Sequence, residues 1–430
     1  MTAVEAAIDA TPAAPLSPAL RVLEQLLSSD DAEPAEVHER LCALSDDELM
    51  HYGLRAYRMN LMALFGGRWS TEAIARAARQ AAISKMWLGW EYHHHYLPRL
   101  TPEAPPAHLR RLPLDTIRSL LAEGRGLVVA TFHLGHMRHL PSDIAHAGIP
   151  VLVPLARDAY GNYESARLAN PGAAFWQTFR HVCVEENGGT LALARALAKG
   201  SCVFSSIDGN TGMDGPRGGD RRSLVNMLDT QVRVKNGVIA MAARFGAPIL
   251  PIIAATTDGG RTCHVLPAID PCAPLAGEAS ERFVETTVRA LYAWFGESLL
   301  DFASEWCGGD LFHQWRVPRA VREKSLEEVE AQLLGELMEG ARIQLDTTRA
   351  MPLPGDGNRL FVDVHTMKCY RLPEREADLT GLLLDPRRGV GLDWLDGLEE
   401  ERRASVWRFL CLMASREILA VRHERASAAA

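Results

Sequence analysis

At 430 residues, with 47% hydrophobic and 23% charged side chains, the chain is long enough for two or three structural units and has the balance of an ordinary globular protein. Its formal net charge of −8 argues against a general nucleic-acid binder. Its eight cysteines, scattered without a C-x-x-C pair, argue against a zinc site or a disulfide framework and point to reduced thiols and a cytoplasmic location.

Met1–Pro18 is Ala/Pro-rich and acidic, lacks the basic and apolar segments of a signal peptide, and reads as a disordered tail. No apolar run reaches the length of a spanning helix, so membrane contact is expected to be peripheral at most, at the inner membrane face. Residues 19–114 read as a helical region. Leu20, Val22, Leu23, Leu26 and Leu27 recur at helical spacing, and Ser45-Asp-Asp-Glu48 has the form of a helix start. Tyr57–Phe65 is the best candidate for a membrane-facing helix, with core packing as the competing reading. Glu72–Tyr96 continues as Ala- and Trp-rich helix and contains His93-His94-His95. Three consecutive residues cannot all face one ion on a helix, so no metal is expected there. A Pro-rich linker runs from Leu97 to Pro113.

Between 115 and 318 the pattern changes to strands alternating with helices. The strand candidates are Gly126–Phe132, Pro150–Leu155, His181–Glu185, Cys202–Ile207, Val225–Val234, Pro248–Ala254 and Cys263–Ala268. Helices are expected over Thr190–Lys199, stopped by Gly200, over Asn236–Phe245, stopped by Gly246, and over Glu281–Phe295. This alternation predicts an α/β fold, a mixed, mainly parallel sheet flanked by helices. A polar helix over Arg319–Arg342 is expected to link, across 319–350, to a small C-terminal module over 351–430. Met351-Pro-Leu-Pro-Gly-Asp-Gly-Asn358 marks the boundary as a loop. Leu360–Val364 and Lys368–Leu372 alternate like a short hairpin, and helices follow near Glu374–Leu384 and Glu399–Glu417.

The chemistry concentrates where strands end. Gly126–Phe132 stops abruptly at His133, followed by Leu-Gly-His136-Met-Arg138-His139. A histidine fixed at a strand's carboxyl end can meet solvent and act as a general base near neutral pH, although a packed or capping histidine is the bland alternative. Cys202–Ile207 runs into Asp208-Gly209-Asn210. There, glycine would let backbone N–H groups approach an oxyanion or phosphate and Asn210 could donate to it; ordinary turn chemistry gives the same residues. Gly215-Pro-Arg217-Gly-Gly-Asp-Arg-Arg222 is a basic glycine-rich loop, and Arg157 and Lys235 are further phosphate candidates, each also readable as solvated charge. No G-x-x-x-x-G-K-[ST], G-x-G-x-x-G or G-x-S-x-G motif occurs, which leaves nucleotide and α/β-hydrolase chemistry without support.

Taken in order, Thr131–Arg138, Cys202–Gly212 and Lys235–Pro251 resemble the lysophospholipid acyltransferase superfamily, and more closely its lipid A biosynthesis (lauroyl/myristoyl) acyltransferase branch. Arg244-Phe-Gly-Ala-Pro-Ile-Leu-Pro251 is similar to that branch's Thr-Gly-Ala-Pro-Val-Val-Pro signature. Phe302-Ala-Ser-Glu-Trp306 and His313-Gln-Trp-Arg316 look like its closing region. The resemblance covers roughly residues 115–318. It implies an acyltransferase with no bound cofactor, whose co-substrate is an acyl thioester of coenzyme A or an acyl carrier protein. His133 would be the base that takes a proton from a hydroxyl or amine acceptor.

The family places an acid five residues after this histidine, where this chain has Arg138. Four readings stay open. Asp143 supplies the carboxylate from the following helix; His136 or His139 shares the proton handling; Arg138 binds an anionic acceptor or a phosphopantetheine phosphate; or the site has lost catalysis. Asp208 is counted with the catalytic group for its polarity. His136, Gly209, Asn210, Arg157, Arg217 and Lys235 are counted as substrate-binding candidates.

The C-terminal module, over about 355–422, is similar to the winged-helix-like peptide-binding domain of pyrroloquinoline quinone biosynthesis. That resemblance implies strand addition by a peptide, against the alternative of a helical cap. With no membrane anchor expected, a specialised metabolite or peptide is the favoured acceptor. The rival class is a catalytically degenerate protein that binds an acyl carrier or a peptide. A metal-dependent hydrolase built on His133, His136 and His139 is a third.

Overall fold

The computed structural model describes residues 16–29, 31–99, 108–186, 188–208, 222–319, 324–353, 360–372, 377–385 and 387–423. Gly209, Asn210 and Arg217 therefore lie outside the described residues. The described residues divide into two compact units, one over 16–57 and 76–317, the other over 58–75 and 318–423. No helix among the described residues is long and apolar enough to cross a membrane. Tyr57, Met59, Leu61, Leu64 and Phe65 are all buried, so the apolar face suggested as a membrane surface is core instead.

The larger unit is mixed α/β. Its strands are β1 (Leu127–Thr131), β2 (Val151–Leu155), β3 (Phe179–Cys183), β4 (Cys202–Ser206), β5 (Arg222–Met227), β6 (Thr230–Lys235), β7 (Ile249–Thr257) and β8 (Gly260–Val265). Six of them form one sheet in the order β3-β2-β4-β1-β7-β8. The pairs β3–β2, β2–β4, β4–β1 and β1–β7 are parallel, and β7–β8 is antiparallel. β1 and β4 are central, and every residue of β1 is buried. Such a strand, covered on both faces, is what a continuous Leu-Val-Val-Ala run dictates.

One face of the sheet packs Leu127, Val129, Leu140, Ile144, Phe204 and Ile252 into a single core. The long helix Gly277–Phe302 covers the strand ends from elsewhere: Phe295 stacks on Phe132 with ring centroids 3.9 Å apart, and the Tyr292 hydroxyl donates to the Ile207 carbonyl at 3.2 Å. The stretch expected as one strand, Val225–Val234, is instead an antiparallel hairpin of β5 and β6. Its turn escapes sequence reading because it has no glycine; Leu228 itself takes the left-handed conformation, φ 51°.

The other unit holds β9 (Ala341–Leu345) paired with β13 (Leu419–His423), and a three-stranded antiparallel sheet of β10 (Ala350–Leu353), β11 (Leu360–Asp363) and β12 (Lys368–Arg371), with β11 in the middle. The β11–β12 hairpin is as expected. β10 is not: Met351–Leu353 reads as loop because of its prolines, yet Pro352 sits on an edge strand, where a missing donor is tolerated. The linking helix is shorter than expected, Leu326–Met338, because Gly340 at φ +85° ends it and turns the chain into β9. Helices Ala377–Leu384 and Glu400–Ser415 match expectation, but the tail Arg416–Ala420 leaves the helix and enters β13.

A buried ion pair fixes this sheet. Arg349 Nε and Nη2 donate to Asp363 Oδ1 and Oδ2, each at 3.2 Å, and Asp363 has no exposed side-chain surface. The Thr366 hydroxyl and the His365 amide also donate to Asp363, at 2.6 and 2.9 Å. Asp363→Ala strands the Arg349 charge with only Glu417 beside it, so urea unfolding should show a loss of about 3 kcal/mol. A variant as stable as the parent would show the pair to be energetically idle.

Candidate active site at the carboxyl ends of β1 and β4

His133 stands two residues past β1, and Asp208 two residues past β4. The strands are parallel neighbours in register, Thr131 opposite Ser206, so the two side chains emerge side by side at the same edge of the sheet. His133 Nδ1 is 2.8 Å from Asp208 Oδ1, and the His133 backbone N–H donates to both carboxylate oxygens at 3.0 Å. Asp208 is completely buried as a side chain, whereas the His133 ring is 30% exposed. With Nδ1–H donated to the carboxylate, Nε2 carries the lone pair, on a side chain that remains partly exposed. A buried carboxylate, satisfied by one amide and one imidazole, fixes the tautomer in which Nε2 is the base.

The segment after His133 is clamped on both sides. The Gly135 amide donates to the Glu305 carbonyl at 2.9 Å, the His136 amide donates to the Ala254 carbonyl at 2.8 Å, and Leu134 bridges Trp306. Gly135 lies at φ +54°, and a Cβ there would sit 2.2 Å from the Ala254 carbonyl oxygen. Gly135→Ala therefore displaces the whole His133 turn. The expected result is a loss of at least about 2 kcal/mol in thermal or urea unfolding; unchanged stability would mean that the turn is not held as described.

Across from the dyad, the Gly308 amide donates to the His133 carbonyl at 3.2 Å. A Cβ on Gly308 would come within 3.2 Å of His133 Cβ and 3.5 Å of Asp208 Oδ2. Gly308 is a site-forming residue that sequence reading missed, since its only signal was a glycine following the Trp306 motif.

The sequence-derived candidates fare unequally. His133 and Asp208 are brought together. Asp143 is not the missing carboxylate: on helix His139–His146 its Oδ2 accepts from the amides of His108 and Leu109, at 2.9 and 2.8 Å. Burial pushes its carboxyl up to about 6, against the opposing pull of those two amides and of Arg261. Arg157 opens helix Arg157–Ala169 after β2, exposed, with its amide donating to Glu185 at 3.3 Å. Lys235 ends β6 in the hairpin rather than in the six-stranded sheet.

The histidines do not converge on one point. His136 Nε2 lies 3.1 Å from the Thr256 hydroxyl, while His139 Nε2 lies 3.7 Å from Glu91 and 3.4 Å from Arg261. Among the described residues, the group able to hold a metal by geometry is Glu336, Glu339 and His423, in the other unit. The three-histidine metal site is thus not formed.

Behind the dyad lies a buried network of rings that the sequence did not disclose. Tyr96 packs edge-on against His108, its hydroxyl 2.7 Å from His146 Nε2, and His108 and His139 rings lie 5.0 Å apart. The Tyr92 hydroxyl pairs with Ser142 at 2.6 Å. Burial, with Arg138 and His94 adding repulsion, drives His93 down to about 3; burial, with Arg261 and His108, does the same to His136. His146 falls to about 4 through burial and His108, and His139 lies well below its ordinary value through burial and Arg261. These side chains are neutral at physiological pH and serve as packing with hydrogen-bonding ends.

Compared with models of protein families and with curated proteins, the chain matches none.

Proposed function

We propose that this chain is an acyltransferase. It moves an acyl group from a coenzyme A or acyl-carrier-protein thioester to a hydroxyl or amine, on a specialised metabolite or peptide. The observation that carries the reading is the His133–Asp208 dyad: a partly exposed imidazole held by a buried carboxylate at the carboxyl edge of the parallel strands, where α/β proteins gather their ligands. His133 Nε2 takes the proton as the acceptor oxygen or nitrogen attacks the thioester carbonyl. The tetrahedral intermediate collapses, the C–S bond breaks, and the imidazolium returns its proton to the departing thiolate. Asp208 holds the ring and stabilises the imidazolium, the work that the resemblance assigned to the position occupied by Arg138.

The two segments that carry the dyad, 75 residues apart, are two of the three on which the resemblance rests. In the C-terminal unit, β12 is an edge strand of the three-stranded sheet, which suits a winged-helix-like module that accepts a peptide by strand addition. The rival reading, a catalytically degenerate carrier- or peptide-binding protein, loses its main support once a carboxylate stands beside His133.

The test is thiol release from a panel of acyl-coenzyme A and acyl-carrier-protein thioesters, with His133→Ala alongside. Release by the parent and none by the variant supports the assignment. Equal release by both, or none from any donor, sinks it.

A further inference from the structure

We propose that Arg138, on the segment that follows the base His133, binds an oxyanion, a carboxylate or phosphate carried by one of the two substrates. Arg138 lies five residues after His133, at the N-cap of helix His139–His146, and is half-buried. Its Nη1 is buried and makes no hydrogen bond, and no ion pair reaches the guanidinium among the described residues. Taking such a charge out of water without a partner is costly.

The carboxylates on the elements around it are engaged elsewhere. Asp208 holds His133, Glu91 pairs with Arg261, and Asp143 accepts from the amides of residues 108 and 109. Glu305 accepts from the Thr256 amide, and Asp310 pairs with Lys85. His93 and His139, which the Arg138 charge helps to hold neutral, offer it no negative charge. Arg138 also acts on the thiol of Cys307, whose neighbour Gly308 packs on the dyad, so the cation and the base flank one short segment. A guanidinium whose buried Nη1 has no partner suits a ligand that brings the negative charge, and a fork of donors matches carboxylate and phosphate alike.

Only the identity of the oxyanion's carrier rests on the acyl-transfer reading, and binding is measured without turnover. The full chain and its Arg138→Gln and Arg138→Lys variants are titrated calorimetrically, at low ionic strength, with coenzyme A, pantetheine, acetate and inorganic phosphate. The parent should bind at least one oxyanion, with affinity about tenfold or more weaker in Arg138→Gln and partly recovered in Arg138→Lys. Binding of coenzyme A but not of pantetheine or acetate assigns the oxyanion to the donor; binding of acetate assigns it to the acceptor. No oxyanion binding by the parent, or undiminished binding by Arg138→Gln, overturns the proposal.

Arg138→Met keeps the stem and removes the unpaired charge, so without ligand it should melt at or above the parent temperature. A lower melting temperature makes the guanidinium a structural group and also overturns the proposal. If no thioester is cleaved while Arg138-dependent binding persists, acyl transfer falls and the oxyanion site stands; thiol release with unchanged binding gives the reverse.

Discussion

Asp208→Asn is expected to lower the His133-dependent rate of thiol release by roughly 10³-fold or more, with the loss in kcat and little change in KM for the thioester. The asparagine keeps the shape of the carboxylate and can still accept from the His133 amide. Its NH2 group, however, faces Nδ1 at the position where Asp208 Oδ1 lies 2.8 Å away. The ring must then present the Nδ1 lone pair to that NH2 and carry its proton on Nε2, so the atom facing the acceptor is no longer a base. Asp208→Ala adds a structural loss, because two of the contacts to Asp208 come from the His133 backbone N–H; about 1–3 kcal/mol should disappear in urea unfolding. Steady-state kinetics on the two variants beside His133→Ala decide the matter. An unchanged kcat in Asp208→Asn would remove Asp208 from the chemistry.

The second large effect is acid unfolding. His93 and His136, at about 3, and His146, at about 4, each have an ordinary value of 6.5 to return to when the chain unfolds. Below pH 6.5 the unfolded state binds these protons and the folded state does not. Their contribution is therefore complete above pH 6.5 and is lost as pH falls toward 4 and then 3. Three such groups remove about 4 kcal/mol per pH unit within that window.

Asp143 opposes one of them. Its carboxyl, raised to about 6 from 3.8, is protonated in the folded state first, so between those values it favours folding as pH falls. Counting these four groups, unfolding near pH 5 takes up about two protons, to which His139, likewise held well below its ordinary value, adds, and the chain is expected to unfold above pH 4. Urea unfolding at pH 7, 6 and 5 measures this directly. Stability that is flat across that range would mean that the rings are solvated, and His136→Gln should lower the slope by about one proton.

The sequence was most readable where the chain's own periodicity determines structure. The unbroken apolar run before His133 specifies a central parallel strand, and Gly200 and Gly246 stop their helices as expected. The capping box at Ser45 and Glu48 forms in both directions. His133 and Asp208 were each legible as polar residues at strand ends. Their partnership was not, since nothing local says that β1 and β4 are neighbours; β2 and β3 intervene in sequence and lie outside them in the sheet.

Asp143 was a candidate because it lies on the helix that follows His133, whereas its side chain turns to the amides of His108 and Leu109. The ring network stayed hidden for the same reason. Tyr92, Tyr96, His108, His139 and His146 come from three separate segments, and no period links them. Pro352 and Leu228 show the limit of turn signals: an edge strand admits a proline, and a turn can form without glycine when flanking pairs hold it.

The sequence distance between His133 and Asp208 also bears on when the proposed active site can form. The dyad closes a loop of 75 residues, and closing it requires β2, β3 and their helices to be accommodated beside β4 before any reward from the pairing is felt. Helices such as Gly277–Phe302 can form early from local contacts, but no fragment ending before β4 contains the dyad. On dilution from denaturant, helical circular dichroism should therefore return ahead of the proposed thiol release, and a nascent chain should show none of it until Asp208 has been synthesised and seated against β1.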